Sequence, residues 1–262
     1  MAGFDRINER YIRLGLFLSM GQGSLSSELE DRVLSDEFML GHYFRRDTDR
    51  GYLLVQGGVG NHRYDTRRRI TFGSLEPDWV TNEIHYIDRT ARNEHSAFLG
   101  TAHVEAGLRY RNTVLNLAPF VGLQYTGLIR EGFTERGAGS LNLTSKMQDY
   151  HSFRTMFGMR FDTIPFRVRN GLASFYGNVA WMYEFEADKR HTEFTARFSD
   201  AGVMKGATFT VDGNDPGRDW VQAGWGLNFD FNANVRGFTG YDAHANQKQV
   251  LHSANLGFVI QR

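Results

Sequence analysis

The sequence predicts an all-β fold, a transmembrane antiparallel β-barrel of 12 strands, on three observations. Apolar and polar residues alternate with a period of two in segment after segment, which lays one apolar row along one face of a strand. These segments run about 10 to 14 residues, longer than the five or six usual in a soluble sheet and matched to a tilted bilayer crossing. No apolar run approaches the roughly 18 residues a spanning helix needs. A mean hydropathy of -0.44 is nevertheless compatible with a membrane protein whose strands alternate.

The clearest strands are four. Over residues 10–21, Ile12, Leu14, Leu16, Leu18 and Met20 oppose Tyr11, Arg13, Gly15, Phe17 and Ser19. Over 95–110 the apolar row is Phe98, Gly100, Ala102, Val104, Ala106 and Leu108, opposed by Thr101, His103, Glu105, Gly107 and Arg109. Over 172–185, Phe175, Val179, Trp181, Tyr183 and Phe185 oppose Ser174, Tyr176, Asn178 and Glu184. Over 218–231, Val221, Ala223, Trp225, Leu227, Phe229 and Phe231 oppose Gln222, Gly224, Gly226, Asn228 and Asp230. None of the four apolar rows carries a charge. Further strands are expected at 36–45, 51–63, 113–127, 149–163, 204–212, 233–242 and 249–261, which makes eleven. Single-chain bacterial barrels have even counts, so a twelfth is expected within 64–94.

Connections alternate in length. Asp47-Thr48-Asp49-Arg50-Gly51 and Arg111-Asn112 read as tight turns, whereas 22–35, 128–148 and 186–203 read as long. That is the short-periplasmic, long-extracellular asymmetry of an outer-membrane barrel. Pro119 interrupts the expected strand 113–127, so that strand is expected to begin after it or to bulge. Ser27-Glu28-Leu29-Glu30 has the form of a helix capping box. There is no sign of a second domain or of a repeat beyond the strand period.

Composition removes several function classes. Thirty Lys+Arg balance thirty Asp+Glu, so nothing draws the chain to nucleic acid. It has no cysteine, which excludes disulfides, thiolate zinc sites, iron–sulfur clusters and Cys nucleophiles. Gly57-Gly58-Val59-Gly60 has no Lys-Ser/Thr and no following helix, so it is no phosphate loop, and no cofactor is implied. His95, His151 and His252 each precede a serine directly, which puts the two side chains of each pair on opposite faces; a dyad assembled across strands stays open, so an outer-membrane lipid hydrolase or protease, or a passive pore, is the alternative reading. Asp212, Asp215 and Asp219 lack the ligand order of a calcium loop. Arg67-Arg68-Arg69 reads as the charged end of a strand, or as a contact for lipopolysaccharide phosphate at an outer rim. The polar rows propose a pore lining of mixed sign: Arg13, His103, Glu105, Arg109, Arg154, Arg160, Glu184, Asn228, Asp230 and Arg236. No catalytic or metal-binding residue is assigned.

From Leu115 onward the chain carries a family resemblance. Leu115-Asn116-Leu117-Ala118-Pro119-Phe120-Val121-Gly122-Leu123-Gln124-Tyr125, with Gly132-Phe133-Thr134-Glu135-Arg136-Gly137-Ala138-Gly139-Ser140-Leu141-Asn142-Leu143, resembles the C-terminal translocator domain of bacterial autotransporters. Phe157-Gly158-Met159-Arg160, Ala180-Trp181-Met182-Tyr183-Glu184-Phe185, Phe209-Thr210-Val211-Asp212-Gly213, Arg218-Asp219, Gly240-Tyr241-Asp242 and His252-Ser253-Ala254-Asn255-Leu256-Gly257-Phe258 continue it in order. The resemblance implies a monomeric twelve-stranded barrel of the bacterial outer membrane, part of type V secretion and not an enzyme. Its passenger precedes it and is joined through the pore by a helix. Residues 1–9, of which Ala2 to Glu9 supply about 12 Å of helix, are then a remnant of that linker and 10–262 the translocator barrel, the passenger lying outside this chain. The implied partners are outer-membrane lipid and lipopolysaccharide, the passenger with its linker helix, and the barrel-assembly machinery. That machinery reads a terminal aromatic in the family. Here Phe258 and Ile260 serve, or further residues follow Arg262.

Overall fold

The computed structural model describes residues 2–8, 11–27, 31–73, 86–169, 171–185, 194–198, 208–211, 217–232 and 234–260. In chain order the strands are β1 (Ala2–Asn8), β2 (Ile12–Ser26), β3 (Arg32–Asp47), β4 (Gly51–Gly73), β5 (Tyr86–Leu108), β6 (Tyr110–Arg111), β7 (Leu115–Arg130), β8 (Phe133–Thr134) and β9 (Leu143–Ser145). They continue with β10 (Gln148–Thr163), β11 (Phe166–Val168), β12 (Gly171–Glu184), β13 (Phe194–Phe198), β14 (Thr208–Val211), β15 (Asp219–Asp230), β16 (Val235–Ala245) and β17 (Val250–Ile260). Eleven of them form one antiparallel meander, β1-β2-β3-β4-β5-β7-β10-β12-β15-β16-β17, with β6 beside β7 and β11 beside β12. A small second sheet, β14-β13-β9-β8, is built from the long connections.

The period-two rows sort onto the two faces of this meander as the register requires. Val104 faces Val55 and Leu123 on the neighbouring strands, and Trp225 faces Gly177 and Tyr241. This outward face is apolar yet exposed: Val104 is 43%, Phe157 51% and Trp225 54% exposed. The opposite face is the buried one, holding Met156, Met182 and Trp220 as a cluster with Phe120 beside it. Exposed apolar surface around a buried, partly polar interior inverts the pattern of a water-soluble sheet. The sheet curls toward its polar face, since side chains there meet across intervening strands: Glu105 of β5 reaches Arg160 of β10 over β7, and Tyr176 of β12 donates to the Thr239 carbonyl of β16 over β15 at 3.1 Å. Glycines let aromatic rings lie flat along this inner face. A Cβ at Gly107 would come within 2.4 Å of the Tyr52 ring, and one at Gly15 within 2.2 Å of the Tyr43 ring.

Four sequence expectations are corrected. Residues 2–8, read as linker helix, form β1, paired with β2 from Ala2↔Leu18 to Asn8↔Ile12. Seven residues cannot meet the nucleation cost of an isolated helix, whereas the β2 edge satisfies their main chain at once. No separate strand lies within the described part of 64–94: β4 and β5 both run on and pair from Gly51↔Leu108 to Gly73↔Tyr86. Residues 74–85 of that expectation lie outside the described residues. The strand expected at 204–212 is present only as β14, and it belongs to the small sheet. The main path therefore holds eleven strands among the described residues. The connection 22–35 is short, since the β2–β3 ladder extends to Ser26↔Arg32. Ser27 closes that turn by accepting from the Asp31 amide through Oγ, while Glu28, Leu29 and Glu30 of the capping box lie outside the described residues.

Pro119 does lie inside a strand, opposite Met159. On its other side the β5 ladder ends at Gly107↔Phe120 and the β6 ladder starts at Tyr110↔Leu117, so Pro119 stands at the gap between two ladders, where a missing N–H is tolerated.

Candidate functional site

Among the described residues the inner face holds three main sets of charged groups. At the tight-turn end, Asp47 closes β3 and is 8% exposed. Arg45, two residues earlier on the same face, donates to it at 3.1 Å; Arg109 also donates to it, and Arg13 of β2 lies 3.9 Å away. The guanidinium groups of Arg45 and Arg109 sit 4.7 and 5.6 Å from the centre of the Tyr52 ring. Such stacking stabilises cations by about 0.5–1 kcal/mol at open sites.

Tyr52 ties this set to the second, because its hydroxyl donates to Glu105 at 2.7 Å and accepts from Arg160 at 2.6 Å. Glu105, only 1% exposed, takes both arms of the Arg160 fork, one of them at 2.7 Å. His103 stands 3.5 Å from the same carboxylate, and Arg160 lies 4.4 Å over the Phe120 ring. A buried carboxylate is tolerated only with such partners. In the third set, Glu184 accepts from Arg154 at 2.7 Å, from the Phe153 amide at 2.9 Å and from the Ser152 hydroxyl.

Above the first two sets opens a cleft of about 570 Å³, lined among others by Arg13, Arg45, Asp47, Tyr52, Arg109, Arg111, Arg160 and Asp162. Five arginines there face Asp47, Asp162 and the underlying Glu105, so the cleft is cationic although the chain as a whole is neutral. It is shaped to hold a polar, preferentially anionic, segment against fixed guanidinium forks.

The structure brings together five of the ten sequence-proposed lining residues, Arg13, His103, Glu105, Arg109 and Arg160, and pairs Arg154 with Glu184. Arg236 pairs with Asp230 at 2.5 Å elsewhere on the inner face, and Asn228 lies 3.5 Å from Ser174. Sequence reasoning missed Arg45, Asp47 and Tyr52. The i, i+2 spacing of Tyr43, Arg45 and Asp47 marks that inner row, but Asp47 had been absorbed into the turn. The His-Ser neighbours diverge as period two requires: Ser152 turns inward to Glu184, while His151 turns outward between the Tyr125 hydroxyl at 2.8 Å and Asp149 at 3.1 Å. Asp212 and Asp215 lie outside the described residues; Asp219 accepts from the Trp181 indole.

The outward belt ends at the transverse row Phe38–Asn61–Phe98–Ile129, and beyond it the β4–β5 hairpin projects. The loop 131–147 docks on this projection. Arg68 forks onto Glu135 at 2.6 and 3.2 Å, Arg89 donates to the Ala138 carbonyl at 2.9 Å, and His95 is stacked between Tyr64 and Phe133. Burial, helped by the Arg130 charge, holds the His95 imidazole below its ordinary pKa of 6.5. The docked loop therefore binds fewer protons than the undocked one, so docking is fully present above about pH 6.5 and weakens as pH falls below it. Amide protection factors at Phe133 and residues 143–145, taken relative to the intrinsic exchange rate at each pH, are expected to be lower at pH 5 than at pH 7.5, and H95F is expected to remove most of that difference.

Comparisons with known proteins agree with this architecture. The translocator domain of the autotransporter NalP from Neisseria meningitidis superposes with a TM-score of 0.73 at 16% identity, covering 99% of this chain and 79% of that one. An "Extracellular serine protease" of Serratia marcescens is 26% identical over 245 residues. That match covers 94% of this chain but only 22% of the relative, so the chain spans about a fifth of its length. The model of the autotransporter beta-domain matches residues 1–242, and the chain belongs to that family, the outer-membrane barrels that translocate a passenger.

Proposed function

We propose that this barrel sits in the bacterial outer membrane as a monomer, with its tight turns in the periplasm and its long connections outside. There it anchors its own passenger and exports it along the arginine-lined inner face. The observation that carries this reading is the inversion of the sheet, with exposed apolar rows outside and buried, paired charges within. The ten residues from Arg13 to Arg236 then line the path. Fixed ion pairs of both signs suit a passage filled by polypeptide better than one tuned to a single ion. Lipid and lipopolysaccharide cover the belt, the barrel-assembly machinery inserts the chain, and the linker helix of the passenger occupies the cleft. The barrel module includes β1, so it extends ahead of residue 10. It performs no catalysis of its own; the protease activity named for the Serratia relative belongs to that protein.

The test is surface display. A reporter polypeptide fused ahead of Met1 is expected to become accessible to added protease on intact cells. R13Q/R111Q, which leaves the hydrogen bonds of Arg45 and Arg109 to Asp47 in place, is expected to reduce that display several-fold while barrel insertion is unchanged. Steady conductance with no display favours a passive pore, and release of fatty acid from phospholipid by the purified barrel favours a lipid hydrolase.

A further inference from the structure

The projecting strands carry a feature that export does not need. Arg32 of β3 is directly opposite Arg67 of β4, Arg67 is directly opposite Arg92 of β5, and Arg92 pairs through an isolated bridge with Arg136 of the docked loop. Four arginines thus form one transverse row on four adjacent segments, with side chains on the outward face and all four exposed. With strands about 4.8 Å apart, the row is about 14 Å long. Like charges directly opposite one another destabilise a sheet. The neighbouring positions avoid that cost, since Arg63 pairs with Glu94 at 2.7 Å and Arg69 with Asp88 at 2.9 Å. Among the described residues, the one ion pair of the row is Arg67 with Asp65 at 3.9 Å, while Glu94, on the same face as Arg92, is taken by Arg63. Among the described residues Arg32, Arg92 and Arg136 have no ion-pair partner. A row that repels itself and is kept on the surface calls for an external polyanion.

The height of the row selects which one. Arg32, Arg67 and Arg92 each lie six residues beyond the Phe38–Asn61–Phe98 row that ends the apolar belt. Six residues at about 3.4 Å, tilted by about 40°, lift the row about 15 Å above the hydrocarbon. The headgroup layer on each side of a bilayer is only about 5–8 Å deep. Phosphates of simple phospholipids lie below the row, whereas phosphates on the sugars of an outer-leaflet glycolipid reach it. We infer that Arg32, Arg67, Arg92 and Arg136 form a binding site for the phosphorylated saccharide of lipopolysaccharide, held by bidentate guanidinium–phosphate contacts. This rests on the outward placement of the long connections but not on passenger export.

The test uses the full chain folded in neutral detergent, with purified lipopolysaccharide as the probe. The quadruple variant R32Q/R67Q/R92Q/R136Q is expected to bind it at least 30-fold more weakly and with a flatter salt dependence. Its melting temperature without lipid should equal or exceed that of the parent, because a self-repelling row has been removed. The doubles R32Q/R136Q and R67Q/R92Q, each about fivefold weaker, keep the test alive if the quadruple does not refold. Dephosphorylated lipopolysaccharide should bind the parent no better than the intact lipid binds the quadruple. Unchanged affinity in the variants overturns the site, as does equal binding of phosphatidylglycerol. A loss of affinity for polyglutamate with lipopolysaccharide binding intact would make the row a peptide contact and also overturn it. Because the chain has no cysteine, an impermeant maleimide on R136C in intact cells reads the orientation separately. Failed reporter display with normal lipopolysaccharide binding would count against export alone.

Discussion

Replacing Val104 with arginine is expected to cost about 2–4 kcal/mol of barrel stability in lipid vesicles, the range for a cation on the lipid face near the midplane. Val104 lies midway along the charge-free row from Phe98 to Leu108, is 43% exposed, and faces Val55 and Leu123 on its two neighbours. No carboxylate shares that row. Leu227→Arg is expected to behave alike, because Leu227 lies between Phe175 and Thr239 on the same outward face. Gln222→Arg, one parity step away, points inward and should stay within about 0.5 kcal/mol. Denaturant unfolding in vesicles measures all three. Equal tolerance at Val104 and Gln222 would mean that the outward face does not meet lipid.

Arg160→Met should cost about 2–3 kcal/mol, because it strands the Glu105 carboxylate. Removing one partner of a buried pair typically costs about 3–5 kcal/mol. The lower figure applies because the Tyr52 hydroxyl still donates to Glu105 and His103 stays 3.5 Å away. Glu105→Gln should cost less, about 1 kcal/mol, since the Arg160 side chain is 41% exposed and recovers hydration. The double variant R160M/E105Q should then be more stable than R160M alone, with a coupling of at least about 1 kcal/mol in a double-mutant cycle. Strict additivity of the two single changes would show that the ion pair does not hold β5 to β10 across β7.

What the residues alone made legible follows from how local each property is. Side-chain alternation needs nothing but the pleat of one strand, so the faces of 95–110, 172–185 and 218–231 could be read without knowing a single neighbour. The same rule assigned Arg13, Glu105, Arg160 and Glu184 to one face. The signal fades where its cause ends. Beyond Phe98 the outward face of the β4–β5 hairpin is wet and the inward face is covered by the loop 131–147, and charged pairs such as Arg63–Glu94 replace the apolar row. The extension of two strands through 64–73 and 86–94 therefore resembled an unpatterned loop.

The strand character, the outward apolar rows and the inward polar rows were determined by the sequence itself, through a period of two that each strand carries on its own. Tertiary structure alone decided which charges meet. The Asp47, Tyr52, Glu105 and Arg160 set joins residues up to 113 positions apart, and the row Arg32–Arg67–Arg92–Arg136 joins four segments through their register. Register and curvature are collective: a one-residue slip would turn every side chain of a strand to the other face, and only the packing of all neighbouring strands together forbids it.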